Sequence, residues 1–228
     1  METQLLDGSL NPVNVARVIK HNRDFYAVHP GYFKPEGLLV FCGEQGSGKT
    51  LSAVQYVKRL CEEYPRAILC TNVEIHGLPP DTQVVEYNGL DCLKSLENGY
   101  YGVIYLIDEI HLEFNSLESK NIDIEVMIEV SQQRKQRKHI IGTSQVYGRL
   151  AKPFREQIRN VVLCSNFCKI LQVNTLIDGS KSTEKDGHLI TDTVKRFYWF
   201  HRPELYDSYD TYAKMKRYKK EWQGRRIS

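Results

Sequence analysis

The chain has 228 residues, of which 41% are hydrophobic and 26% charged, and its formal net charge is +3 at pH 7. This composition is that of a soluble globular protein, and the length suits one large α/β domain or one domain with a small appendage. No run of 18 apolar residues occurs, so we expect no transmembrane helix, and residues 1–7 lack the basic and apolar regions of a signal peptide. The six cysteines lack metal-ligand spacing and are expected to be reduced thiols, which favours a cytoplasmic location.

The first predicted elements lead into a glycine-rich segment. Asn11-Pro12 is typical of a helix start, with proline at the first helical position, and predicts a helix that ends near Lys20. Residues 21–36 contain proline, glycine and aromatic residues and are interpreted as a linker. The apolar run Leu38–Cys42 then predicts a buried strand.

A P-loop motif lies between that strand and a helix predicted over residues 51–60. The segment Gly43-Glu44-Gln45-Gly46-Ser47-Gly48-Lys49-Thr50 fits the pattern G-x-x-x-x-G-K-[ST] of nucleoside triphosphatases, in the strand–loop–helix context that the motif requires. Its glycines allow backbone N–H groups to approach phosphate oxygens, and a helix start favours negative charge. We therefore expect Gly43 to Leu51 to bind ATP, with Lys49 on the β- and γ-phosphates and the Thr50 hydroxyl on Mg²⁺.

A second element of the same chemistry follows a later apolar strand. Shorter strands are predicted at residues 67–71 and 83–87, with a helix at 88–97. Val103–Ile107 predicts a buried parallel strand that ends in Asp108-Glu109, the pattern of a Walker B element. Asp108 is expected to hold Mg²⁺, commonly through a water, and Glu109 to orient or deprotonate the attacking water. The pair favours hydrolysis over kinase chemistry.

Two further candidates lie around the next strand, predicted at residues 139–143 after a helix over 122–138. Gln145 follows that strand directly. Because ligands of an α/β sheet lie beyond the carboxyl ends of its strands, Gln145 is expected to contact the γ-phosphate or the water. Arg134 is expected near the same edge as an arginine finger for a neighbouring subunit. A DNA-phosphate contact or a solvated helix face are its alternatives, and Arg137 and Arg159 are the next candidates.

The last third of the chain has a different pattern. Residues 160–164 predict a further strand, after which 168–174 and 189–194 flank a polar stretch over 178–187 and predict a long β-hairpin with a mobile tip. Residues 214–226 carry seven basic residues and one acid, a net charge of +6. Such a tail favours a polyanion partner, with a solvated terminal helix as the alternative.

Together these motifs resemble the FtsK–HerA superfamily of DNA-pumping ATPases, which combines a P-loop, a Walker B Asp-Glu and an arginine ahead of a glutamine at the end of the next strand. Within it the chain looks most like the Zot-like (zonula occludens toxin-like) group from bacteriophages, over roughly residues 37–210. The segments that carry this resemblance are Thr71-Asn72-Val73, Arg134-Lys135, Ser144-Gln145, Gln157-Ile158-Arg159-Asn160-Val161-Val162 and Leu205-Tyr206-Asp207-Ser208-Tyr209. Filamentous-phage members of the group carry a transmembrane helix, which we do not expect in this chain.

The resemblance implies an ATPase that moves DNA in a phage or mobile element, as a ring of five or six subunits with nucleotide at their interfaces. It leaves open a phage portal or a membrane as partner, and a bacterial host cytoplasm as location. Two alternatives remain: a membrane-recruited ATPase for virion assembly or export, and a nucleotide-dependent binding module with little turnover. The predicted fold is a P-loop α/β domain over residues 37–200, with a central mostly parallel sheet and a C-terminal antiparallel β-hairpin. A helix and linker over 1–36 precede it, and a basic tail over 201–228 follows.

Overall fold

The computed structural model describes residues 12–34, 37–115, 124–179, 183–185, 188–190 and 193–210. The chain divides into two compact units between residues 32 and 33. The first contains helix α1 (Pro12–Val28), which continues past the predicted end near Lys20 into residues interpreted as a linker. Phe25 of α1 packs edge-on against His29 and Tyr32, and these contacts favour the extra helical turns.

The second unit holds the remaining elements. Its helices are α2 (Lys49–Glu63), α3 (Asp91–Ser95), α4 (Ile124–Gln132), α5 (Lys152–Arg155) and α6 (Pro203–Tyr206). Its strands are β1 (Leu38–Cys42), β2 (Ile68–Thr71), β3 (Glu74–Ile75), β4 (Gln83–Glu86), β5 (Val103–Ile107), β6 (Lys138–Ser144), β7 (Ile158–Phe167), β8 (Leu171–Asp178), β9 (Thr183–Lys185), β10 (His188–Ile190), β11 (Thr193–Phe200) and β12 (Tyr209–Asp210).

Eight of these strands form the central sheet, in the order β11-β8-β7-β1-β6-β5-β2-β4. The six strands from β7 to β4 run parallel to one another, and β8 and β11 add an antiparallel extension beyond β7. The predicted α/β fold with a mostly parallel sheet is therefore confirmed. Because the parallel strands share one direction, their C-terminal ends meet at one edge of the sheet, here called the carboxyl edge, and their starts meet at the opposite amino edge.

Helices cover both faces of the parallel strands. Strands β1 and β5 are buried at every position, as expected for strands enclosed between helices. On one face α2 packs through Val54, Val57 and Cys61. The other face is covered by side chains of α3, α4 and α5, namely Leu93, Val126, Val130 and Phe154. This enclosure holds the strand ends in place at the carboxyl edge.

The antiparallel extension differs from the predicted hairpin. Strand β8 pairs with β11 from Leu171↔Phe200 to Ile177↔Thr193, so the returning strand lies later than residues 189–194. The small β9–β10 hairpin lies between them in the chain. Strand β8 also pairs with β7, through a tight turn in which Cys168 and Lys169 have φ values of 52° and 56°. The sequence analysis missed this pairing, because cross-strand partners are set by packing rather than by local pattern.

Two other expectations concern helices and the tail. The helix predicted over residues 122–138 is wrong at its end, because α4 stops at Gln132 and a turn leads into β6. That turn includes Arg137 at φ 54°, a left-handed conformation that a helix cannot contain. The basic tail over 214–226 lies outside the described residues. In the part of the chain that the structure describes, no helix has the length and apolar character needed to cross a membrane.

Candidate active site

The P-loop connects the buried strand β1 to the first turn of α2. Gly46 and Gly48 have φ values of 80° and 83°, which side-chain-bearing residues rarely adopt. Gly48 also lies so close to strand β8 that a Cβ added there would be 2.2 Å from Gln172 Oε1. Lys49 is almost fully buried, and its Nζ donates a hydrogen bond of 2.9 Å to Glu44 O. The ammonium group is thus folded back over the loop.

Asp108 lies directly beyond β5 and receives hydroxyl groups from two other elements. Thr50 Oγ1 donates to Asp108 Oδ1 at 3.0 Å, although the two residues are 58 positions apart in the chain. Thr143 Oγ1, from the end of β6, donates to the same oxygen at 2.6 Å. Asn72 exchanges two hydrogen bonds with the Asp108 backbone, of 2.8 and 3.1 Å. The P-loop helix and the ends of three parallel strands therefore converge on this carboxylate.

Glu109 is held in an uncommon conformation beside it. Its φ and ψ are 54° and 46°, in the left-handed region, where a non-glycine residue is strained. Its backbone N–H donates to Thr143 Oγ1 at 2.9 Å, so one threonine hydroxyl binds both members of the Asp-Glu pair. Glu109 Oε2 lies 3.2 Å from His111 Nδ1, and the side chain remains 27% exposed. The carboxylate can thus reach a ligand or water in front of the site.

Gln145 and the arginine candidates lie at opposite edges of the sheet. Gln145 follows β6 at the carboxyl edge and is half-buried. Arg134 lies in the turn before β6, where a Cβ added to Gly37 would be 3.7 Å from its Cδ and 3.8 Å from Arg159 Cβ. Gly37 immediately precedes β1, so both arginines lie at the amino edge. The expectation that Arg134 lies near the carboxyl edge is wrong, because a helix that precedes a strand ends at the start of that strand. Its action on a neighbouring subunit remains a prediction.

Three P-loop contacts were missed by the sequence analysis. Asn166 Nδ2 on β7 donates to Gly46 O, and Gln172 Nε2 on β8 donates to Ser47 O at 2.9 Å. His201 Nε2 lies 3.0 Å from Gln172 Oε1, which positions that amide. Gln172 is fully buried within a mainly apolar strand, and a polar residue at such a position is the signal that could have identified it.

The segment after β11 returns to the Walker B side of the site. Strand β12 pairs with β3 through Tyr209↔Ile75, and His76 N donates to Ser208 O at 2.7 Å. Burial raises the pKa of Tyr209 above its ordinary value, and the nearby Asp108 carboxylate raises this pKa further. Residues 205–209, one of the segments that carry the sequence resemblance, are therefore close to Asp108.

The residues present fit a nucleotide with Mg²⁺. The Thr50 hydroxyl and the Asp108 carboxylate are hard oxygen ligands of the kind that Mg²⁺ takes, with nucleotide phosphates supplying others. Ser47 Oγ is buried inside the loop and has no hydrogen-bond partner among the described residues, as expected of a group that would contact a ligand. The start of α2 adds the partial positive charge that favours phosphate.

Comparison with solved structures places this site in a known fold. The N-terminal domain of zonular occludens toxin from Neisseria meningitidis superposes with a TM-score of 0.53 at 18% identity, over 76% of this chain and 98% of that domain. The chain has that domain's fold, which confirms the sequence resemblance at the level of fold. The genome packaging NTPase B204 from Sulfolobus turreted icosahedral virus 2, in complex with ATP-gammaS, gives 0.42 at 15% identity, over 57% and 75% of the two chains. A further isolated ATPase domain gives 0.47 at 11% identity, over 82% and 95%. The sequence matches none of the family models and none of the curated proteins with which it was compared.

Proposed function

We propose that this protein hydrolyses ATP and couples the hydrolysis to movement of DNA in a phage or mobile element. The observation that carries the hydrolytic part is the hydrogen bond of 3.0 Å between Thr50 and Asp108. It joins the P-loop to the Walker B strand at the point where a nucleotide-bound cation would lie. Glu109 follows directly and keeps part of its carboxylate accessible.

Each predicted residue has a role in this proposal. Lys49 leaves Glu44 O and neutralises charge on the β- and γ-phosphates, and the P-loop N–H groups bind phosphate oxygens. Thr50 and Asp108 would hold Mg²⁺, which when bound neutralises charge on the phosphates. Glu109 orients the attacking water and accepts its proton. Gln145, at the same edge of the sheet, contacts the γ-phosphate or the water.

The DNA substrate and the ring come from the sequence resemblance and are supported by the net charge of +6 over residues 214–226. Action of Arg134 on a neighbour's nucleotide requires that the amino edge of one subunit face the carboxyl edge of the next. Such a head-to-tail contact is heterologous, and heterologous contacts close into rings. We place the ring, of five or six subunits, in the bacterial host cytoplasm, where a phage portal or a membrane could be its partner.

Steady-state ATP hydrolysis with and without DNA tests the proposal, with Lys49→Ala as control. Lys49 points into the loop rather than into the core, so the variant should melt like wild type and show no turnover. Hydrolysis stimulated by DNA supports the motor. Turnover indifferent to DNA would refute the DNA part and favour the membrane-recruited ATPase. Nucleotide binding without turnover would favour the binding module, and undiminished hydrolysis by Lys49→Ala would remove the P-loop assignment.

A further inference from the structure

The antiparallel extension presents exposed aromatic rings on one face. In the pairing register Phe167 lies opposite Leu171, and Leu171 lies opposite Phe200, so the three side chains form a row across β7, β8 and β11. Tyr198 is two residues before Phe200 and therefore points to the same face. Phe167, Tyr198 and Phe200 are 69%, 60% and 68% exposed. These three rings are here called the aromatic platform.

The surroundings of the platform are basic. Residues 163–177 and 195–202 contain no aspartate or glutamate, and their four basic residues are Lys169, Lys195, Arg196 and Arg202. Arg196 is two residues before Tyr198 and shares its face, and Lys169 lies in the turn next to Phe167. Lys169, Arg196 and Arg202 are exposed. The surface therefore combines stacking groups with positive charge and carries no opposing acid.

We propose that the aromatic platform binds single-stranded DNA, with bases stacked on its rings and phosphates on Lys169, Arg196 and Arg202. Stacking on aromatic side chains beside cations is how proteins hold single strands irrespective of sequence. A duplex would leave the rings without partners, since its bases are already stacked on one another. A second copy of this face would bring like charges together. The proposal rests on the proposed function and deepens it, because it names the strand type and the surface.

The same three strands connect this surface to the nucleotide site. Successive strand residues point to opposite faces, and Asn166, Gln172 and His201 are the immediate neighbours of Phe167, Leu171 and Phe200. Asn166 and Gln172 bind P-loop carbonyls, and His201 contacts Gln172. A single strand seated on the platform thus lies one strand thickness away from the P-loop. Binding of DNA and of nucleotide should therefore be linked, each changing the affinity for the other by the same factor.

The test measures DNA binding separately from catalysis. Anisotropy of fluorescein-labelled oligothymidylate is titrated with the full chain and with Phe167→Ala, Tyr198→Ala and Phe200→Ala. Each substitution should weaken binding by about 5- to 150-fold, the range measured for stacked bases. Val194→Ala is the matched control, because Val194 lies on the same strand and is 61% exposed but is remote from the rings. Every variant should melt like wild type and keep its ATP turnover without DNA.

Salt dependence and competitors supply the opposing outcomes. Arg196→Gln should lower the slope of log affinity against log salt by about 0.7, the value for one phosphate contact on a single strand. Wild-type affinity in Phe200→Ala overturns the proposal, as does duplex competing as well as single strand. Ring-dependent binding to anionic lipid vesicles without DNA binding would assign the platform to a membrane. A mass in solution that falls in Phe200→Ala while DNA binding persists unchanged would assign it to a subunit interface. Failure of DNA to stimulate wild-type ATPase would refute the motor, yet the anisotropy would still decide the platform.

Discussion

Thr143→Val removes a single hydroxyl on which both members of the Asp-Glu pair depend. Thr143 Oγ1 donates to Asp108 Oδ1 at 2.6 Å and accepts from Glu109 N at 2.9 Å, and the residue is fully buried. Valine has nearly the same shape, so the substitution leaves no large cavity. It leaves the Asp108 carboxylate with one donor fewer and the Glu109 N–H without this acceptor.

The expected cost follows from these two bonds. A hydrogen bond to a charged group contributes about 1.5–3 kcal/mol and a neutral one about 0.5–1.5 kcal/mol. We therefore expect the free energy of unfolding to fall by about 2–4 kcal/mol. In a chain of this size each kcal/mol shifts the melting temperature by about 2–4 °C, so the midpoint should fall by about 4–16 °C. Turnover should fall by about 10²-fold, because Glu109 loses an anchor of its strained conformation and a small misplacement of a catalytic group has that effect.

The assay pairs thermal unfolding without nucleotide with steady-state hydrolysis, from which kcat and KM are obtained separately. The loss should lie in kcat, since the P-loop contacts of the nucleotide are untouched. Thr143→Ser is the matched control, because it keeps the hydroxyl and should retain most of the stability and turnover. A Thr143→Val protein with wild-type melting temperature and wild-type kcat would refute the reasoning.

Three further expectations concern other residues of this unit. Glu109→Gln should bind ATP but hydrolyse it about 10²–10⁴-fold more slowly, whereas Asp108→Asn should weaken Mg²⁺-dependent nucleotide binding; identical behaviour in binding and turnover assays would contradict this division of roles. Arg134→Ala should bind ATP and turn it over about 10³–10⁵-fold more slowly, and mixing it with Lys49→Ala should restore part of the activity, whereas full activity of Arg134→Ala alone would show a solvated residue. Burial lowers the pKa of His139 to about 4, so the unfolded chain binds more protons than the folded one between about pH 6.5 and pH 4, and stability should fall by about 3 kcal/mol as the pH drops through that window. Urea unfolding at several pH values should show this fall reduced in His139→Gln, and an equal fall in both proteins would assign it to other groups.

The parts of the site that lie on short, continuous segments were predictable from sequence. Strand β1 was predicted with its observed bounds, because it is apolar throughout and a glycine-rich loop ends it. The same holds for β5 and for the Asp108-Glu109 pair after it. These features depend on burial and local turn chemistry, which a linear pattern records.

The remaining parts depend on contacts between distant segments. Arg134 follows a run of residues with good helix propensity, so the pattern extended α4 past its end at Gln132. The left-handed Arg137 that ends this turn is selected by tertiary context. Gln172 and His201 contact the site only because β8 and β11 fold back beside β7, and their sequence pattern carries no information about that register.

The long sequence separation of the P-loop contacts has a consequence for synthesis of the protein. Gly46 and Ser47 are bound by Asn166 and Gln172, which lie 120 and 125 residues later in the chain. At about 5–20 residues per second, a ribosome needs roughly 6–25 seconds to travel that distance. During this time the nascent P-loop lacks the side chains that brace its carbonyl groups. We therefore expect a ribosome-bound chain that stops before β8 to retain ATP weakly, which makes nucleotide capture one of the last events in the maturation of each subunit.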